Sequence, residues 1–173
     1  MTNPEWLQLI IDRQQNGHVI PPADASPHLP ELDDIRAVVF DVYGTLFSSG
    51  VGDISLATEE NRDAAIRSVL TGNNFRFTDA ADTMRFDDAL HAVIHRHQDK
   101  RRTEGIEFPE VDIRSVWMDF ITEFTQAERI TSETPADINT LVIDYETRVN
   151  PTQPMPGLVE LLSGLHQRGH VLS

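Results

Sequence analysis

One stretch limits this chain more than any other: Ile35-Arg36-Ala37-Val38-Val39-Phe40-Asp41-Val42-Tyr43-Gly44-Thr45-Leu46-Phe47. Its first half is a short apolar run of β-branched and aromatic residues, the pattern of a strand buried on both faces of a parallel sheet. The run ends on Asp41. Open α/β sheets bind ligands where their strands end, so Asp41 is expected at that carboxyl edge. Gly44 permits a tight turn with its backbone close to a bound group, and the Thr45 hydroxyl can hold an anion or orient Asp41. A carboxylate so placed can attack an electrophilic phosphorus or carbon atom and form an ester that water later cleaves. Taken alone, Asp41 is equally an ordinary turn residue.

The string Phe40-Asp41-Val42-Tyr43-Gly44-Thr45-Leu46 resembles the first motif of the haloacid dehalogenase-like superfamily, whose hydrolases use the leading Asp as nucleophile. The resemblance implies an α/β fold, a partial Rossmann-like core carrying an inserted helical cap. It also implies catalysis through Asp41 and Tyr43, substrate binding by Gly44 and Thr45, and small phosphate monoesters as substrates. Mg2+ would then be held by Asp41 and the Tyr43 backbone carbonyl. Family phosphatases usually carry a second Asp two residues after the nucleophile, where this chain has Tyr43. A phenol with a pKa of about 10 is a poor general base at neutral pH. Tyr43 in that place resembles the 2-haloacid dehalogenase branch, in which halide leaves without a proton and no metal is needed. Carbon–halogen hydrolysis is therefore the second reading, and a non-catalytic binding or structural module the third.

Charge narrows the partners. Lys and Arg number 14 against 28 Asp and Glu, a formal charge of −14, which repels nucleic acid and anionic membranes and leaves a small molecule as the expected partner. No cysteine is present, so disulfides and thiolate sites are excluded. No apolar span approaches membrane length, and Met1-Thr2-Asn3-Pro4-Glu5 lacks the form of a signal peptide, so a cytoplasmic protein is expected.

Four segments are expected along the chain. Residues 1–34 read as a helix over 3–15, capped by Asn3 and ended by Gly17, followed by a proline-rich arm. Residues 35–52 hold the first core strand, the nucleophile turn and a polar, Gly-rich hinge. Residues 53–150 read as four helices, the content of a helical cap: about Glu59 to Leu70, Asp79 to Arg101, a third carrying Ile113, Val116, Trp117, Phe120, Ile121 and Phe124, and a fourth from Thr134-Pro135 with Asp137 in a capping box. Residues 151–173 return through a proline-containing linker to a helix with Leu158, Leu161, Leu162 and Leu165 inward, then to the start of a second strand. That Pro154-Met155-Pro156-Gly157 passage also resembles the family.

Further candidates lie outside the motif. Arg62, Arg67 and Arg76 are the cationic residues nearest the hinge, and an Arg fork suits a substrate carboxylate or phosphate; Arg67 is taken as the substrate-binding candidate. His91, His95 and His97 lie close together, but Ala92 stands where a zinc-protease motif needs Glu, so a solvated helix face is the expected reading. The family's second motif is a Ser or Thr at the end of the second core strand. Ser173 follows Gly169 too closely for that role, so this hydroxyl, a later cation and an acidic pair are expected beyond residue 173. One strand between two helices leaves sheet edges open, so these residues alone are expected to be poorly stable or to associate, and to lack useful turnover.

Overall fold

The computed structural model describes residues 5–14, 26, 28, 32–49 and 59–173. The chain divides into two compact units, one of Met1–Arg13 with Ala57–Val149 and one of Gln14–Leu56 with Asn150–Ser173. The expected Asn3 cap, Gly17 stop, most of the proline-rich arm and the hinge from Gly50 to Asp53 lie outside the described residues.

The first unit contains α1 (Glu5–Gln14) and four longer helices, α2 (Glu59–Gly72), α3 (Phe86–Thr103), α4 (Ile113–Gln126) and α5 (Ile138–Val149). The four close a ring, α2 and α4 each lying against both α3 and α5. Two short strands, β3 (Phe75–Phe77) and β4 (Ile130–Ser132), pair antiparallel with Phe75 opposite Ser132 and Phe77 opposite Ile130. The apolar stripes meet in one core that buries Ile66, Val69 and Leu70 of α2, Phe86, Leu90 and Val93 of α3, Val116, Trp117 and Phe120 of α4, and Leu141 of α5. Spacing at three and four residues puts each set on one helix face, and burial of those faces stabilises the bundle.

Two expected helix starts shift, one for a tertiary reason and one for a local reason. Asp79–Ala81 forms only a single 3-10 turn, and α3 begins at Phe86. The Arg67 guanidinium donates to the carbonyls of Ala81 and Met84, at 3.3 and 2.6 Å, and so holds the turn before α3 from another helix. In α5, Asp137 is itself the cap: its Oδ1 accepts the Asn139 N–H at 3.0 Å and its Oδ2 the Thr140 hydroxyl at 2.7 Å, in place of the box expected from Thr134.

Arg85 stands at the capping position of α3, and its side chain makes no cap hydrogen bond. Asp63 of α2 supplies one from outside, its Oδ1 accepting the N–H of Phe86 at 2.5 Å and of Asp87 at 3.2 Å while Oδ2 accepts from Arg67 Nε at 2.9 Å. Burial alone would raise the Asp63 pKa. The Arg67 hydrogen bond, the amides of Asp87 and Phe86 and the Arg67 charge outweigh it, and the carboxyl sits below its ordinary value. A folded pKa below the unfolded one adds stability that is present above the unfolded value and lost as pH falls through the folded one. Asp63→Ala is therefore expected to cost about 1–2 kcal/mol at neutral pH, in the range of a lost cap. In urea titrations the gap between wild type and variant should close below about pH 4; a gap that stays constant into acid would contradict the role given to the carboxylate.

The second unit holds β1 (Ala37–Val38), β2 (Phe47–Ser49), β5 (Thr152–Pro154), α6 (Leu158–Gln167) and β6 (Val171–Leu172). β1 and β6 pair in parallel, Ala37 opposite Val171 and Val38 opposite Leu172. The segments expected as a loose hinge and a return linker are instead tied in part to each other: β2 and β5 pair antiparallel, with Phe47, Ser48 and Ser49 opposite Pro154, Gln153 and Thr152. A ladder satisfies backbone groups that a free loop would leave to water.

Burial of the first strand differs from expectation. Ala37 is exposed, Val39 is 80% exposed and Val42 46%, because β6 is the only strand paired with β1 among the described residues. In α6, Leu158 is buried and Leu162 and Leu165 are half-buried, but Leu161 faces out at 48%. The apolar pattern identifies surface that favours burial, and here the neighbouring elements cover part of it.

Candidate active site

The site grows out of the β1–β6 ladder. Val171 N–H donates to the Arg36 carbonyl and Ser173 N–H to the Val38 carbonyl, while Phe40 N–H donates back to Ser173, at 2.9, 3.1 and 2.9 Å. The next residue is Asp41, which leaves the ladder and stands exposed. The same register sets Ser173 beside Val39, two residues short of the level of Asp41.

Beyond Asp41 the chain folds back at once. The N–H groups of Leu46 and Phe47 both donate to the Val42 carbonyl at 2.9 Å, and Gly44 N–H donates to the Phe47 carbonyl at 2.7 Å. Gly44 has φ +83°, in the left-handed region, so the turn rests on a conformation that L side chains rarely adopt. A Cβ at this position would meet nothing within 4 Å, so substitution incurs backbone strain and no clash. Gly44→Ala should cost about 1–2 kcal/mol of stability, mostly local to the turn. A denaturation midpoint identical to wild type would show that the turn relaxes freely.

The turn gathers Asp41, Tyr43, Gly44 and Thr45 within five residues, with the side chains of Asp41, Tyr43 and Thr45 all exposed. Among the described residues no hydrogen bond or ion pair engages the Asp41 carboxylate, and the N–H groups of Val42, Tyr43 and Thr45 have no acceptor. The Tyr43 carbonyl is likewise open. A bare carboxylate beside unpaired amides can serve as a nucleophile next to an anion cradle. One carboxylate and one carbonyl oxygen are also a donor pair suited to a hard cation such as Mg2+, which keeps most of its ligands as water or substrate oxygen. No group of three or more His, Asp or Glu gathers among the described residues.

A family model for haloacid dehalogenase-like hydrolases matches residues 35–172. The chain belongs to this family. The match begins where the apolar run into Asp41 begins, includes the whole turn, and leaves α1 outside. It carries a general hydrolase activity, and hydrolases of this haloacid dehalogenase-like group commonly use Mg2+. No curated protein and no solved structure matches the chain. No helix among the described residues is long and apolar enough to cross a membrane.

The other candidate residues have different surroundings. Arg67, expected to clamp substrate, is committed inside the helical unit: it pairs with Asp63, holds the carbonyls of Ala81 and Met84, and its Cζ lies 4.7 Å from the centre of the Phe86 ring. Nε, Nη2 and the flat face of that guanidinium are engaged within the helical unit. Arg62 Nε donates to the buried Asp87 carboxylate at 3.0 Å. Arg76 is exposed and pairs with Glu133. The three histidines take separate surroundings: His97 contacts Asp119 of α4 at 2.8 Å, His91 lies 3.9 Å from Asp87, and His95 is exposed. The trans cap from Asp63 and the β3–β4 pair had only faint sequence signals, the alternation Phe75-Arg76-Phe77 and Ile130-Thr131-Ser132.

Proposed function

We propose that this haloacid dehalogenase-like hydrolase cleaves small phosphate monoesters through an aspartyl-phosphate on Asp41. The observation that supports this most is the unengaged Asp41 carboxylate at the end of β1, followed by a tight turn with open amides. In this reading an Asp41 carboxylate oxygen attacks phosphorus, the phosphorus–oxygen bond to the alcohol breaks, and the amides of Val42, Tyr43 and Thr45 hold the phosphoryl oxygens. The alkoxide needs a proton. In this reading the exposed Tyr43 phenol gives that proton, and the phenolate it leaves takes one back from the water that then attacks phosphorus and regenerates Asp41. Mg2+ bound by Asp41 and the Tyr43 carbonyl would neutralise phosphoryl charge. The helical unit acts in this proposal as the cap, and the partner is a small molecule.

Tyr43 also favours a second reading, carbon–halogen hydrolysis, since halide departs without a proton and a second acid is unnecessary. The two separate in one assay of the longest natural chain that contains these residues, with phosphate monoesters and 2-haloacids, each with Mg2+ and with chelator. Phosphate release that requires Mg2+ is the expected result. Halide release that survives chelation would replace the phosphatase reading, and neither product would remove both.

A further inference from the structure

We propose that the helical unit carries a small-molecule site of its own, one that takes an α-amino acid with an apolar side chain. A cavity of ≈ 520 Å³ opens where α2 runs into β3, walled by Thr71, Asn74 and Arg76 on one side and Thr131, Glu133 and Thr134 on the other. A second cavity of ≈ 510 Å³ is walled by Met118, Ile121, Pro135, Ala136 and Ile138. Phe75, Ser132, Glu133 and Thr134 line both, so one stretch of chain borders a space carrying charged and hydroxyl side chains and a more apolar one.

The charges decide the ligand class. Arg76 Nη1 lies 3.4 Å from Glu133 Oε1, and the two side chains are 78% and 83% exposed. A pair so exposed contributes little by itself, so a ligand can exchange it at small cost. A lone carboxylate drawn to Arg76 would be repelled by Glu133, and a lone amine drawn to Glu133 would be repelled by Arg76. A zwitterion satisfies both: its carboxylate takes the Arg76 fork and its ammonium donates to Glu133. The hydroxyls of Thr71 and Thr131 and the Asn74 amide can meet the remaining donors and acceptors. An apolar side chain then has Met118, Ile121 and Ile138 to cover it. This site does not depend on Asp41 or on the hydrolase reading.

Titration calorimetry of the whole chain with L-leucine tests it, with N-acetyl-L-leucine and 3-methylbutylamine as analogues lacking one charge each. Saturable binding in the millimolar range is expected, weakened about 2- to 5-fold by loss of either ligand charge and by Arg76→Ala or Glu133→Ala. Both replaced side chains are exposed, so the fold is retained. No saturable heat up to about 20 mM leucine, at the weak end of measurable affinity, would overturn the proposal. So would an N-acetyl analogue that binds as tightly as leucine, or affinity unchanged in both variants.

Discussion

Asp41→Asn is expected to lose about 10⁴-fold or more in kcat while the protein stays folded, because in the proposed reaction the change removes the nucleophile and nothing that holds the structure. The two halves of that expectation rest on the same observation. The Asp41 carboxylate is exposed and has no hydrogen-bond or ion-pair partner among the described residues, so an amide of the same shape disturbs no packing. Exposed substitutions of this kind usually change stability by less than about 0.5 kcal/mol. The lone pair of an amide nitrogen is delocalised into its carbonyl, and the amide oxygen is a far weaker nucleophile than a carboxylate. The comparison to make is kcat of the variant against wild type in the longest natural chain, alongside the urea midpoint of each. A variant that keeps a tenth of the activity would mean that water is activated elsewhere and that Asp41 only positions it. A variant that loses activity together with several kcal/mol of stability would point to a folding role for this side chain.

What the sequence reveals of this molecule follows the range of each interaction along the chain. The Asp41 turn is legible because every bond that shapes it, from the Val42 carbonyl to the Leu46 and Phe47 amides, lies within a few residues. α4 is legible because its apolar spacing is uncontested and Asp112 caps it locally, accepting from Arg114 N–H. The start of α3 is not, since what holds the turn before it is Arg67 on another helix and what caps Phe86 is Asp63 on the same one. The surroundings of Arg67 are hidden for the same reason: sequence shows a cation, and only the fold shows Asp63 and the Ala81 and Met84 carbonyls beside it. β3 and β4 escape notice because a three-residue alternation is too short to stand out, and their pairing joins distant segments. β1 shows the converse error. Its apolar run states a preference for burial, yet the elements beside it determine how much is met, and Val39 remains 80% exposed.

Phe86→Ala should have the largest effect on stability, about 3–5 kcal/mol, the usual cost of emptying a buried aromatic site. Phe86 is fully buried, and its ring centre lies 5.2 Å from that of Phe77, 5.4 Å from Phe124 and 6.1 Å from Phe120. The Arg67 guanidinium covers another side of it. Truncation therefore opens a cavity between β3, α3 and α4 and also removes the surface that holds Arg67 in place, which weakens the carbonyl bonds Arg67 makes to Ala81 and Met84. Against a typical total stability of about 5–15 kcal/mol, a loss of this size brings the helical unit close to unfolding. Trp117 is buried in the same core beside Tyr145, so its fluorescence reports the transition in urea. The midpoint should fall sharply with little change in slope, while Phe86→Leu, which refills most of the volume, should lose less than about 1.5 kcal/mol. Phe108 supplies the control: it is 85% exposed, and Phe108→Ala should move the midpoint by less than about 0.5 kcal/mol. Equal losses at Phe86 and Phe108 would mean that the aromatic cluster is not what holds the four helices together.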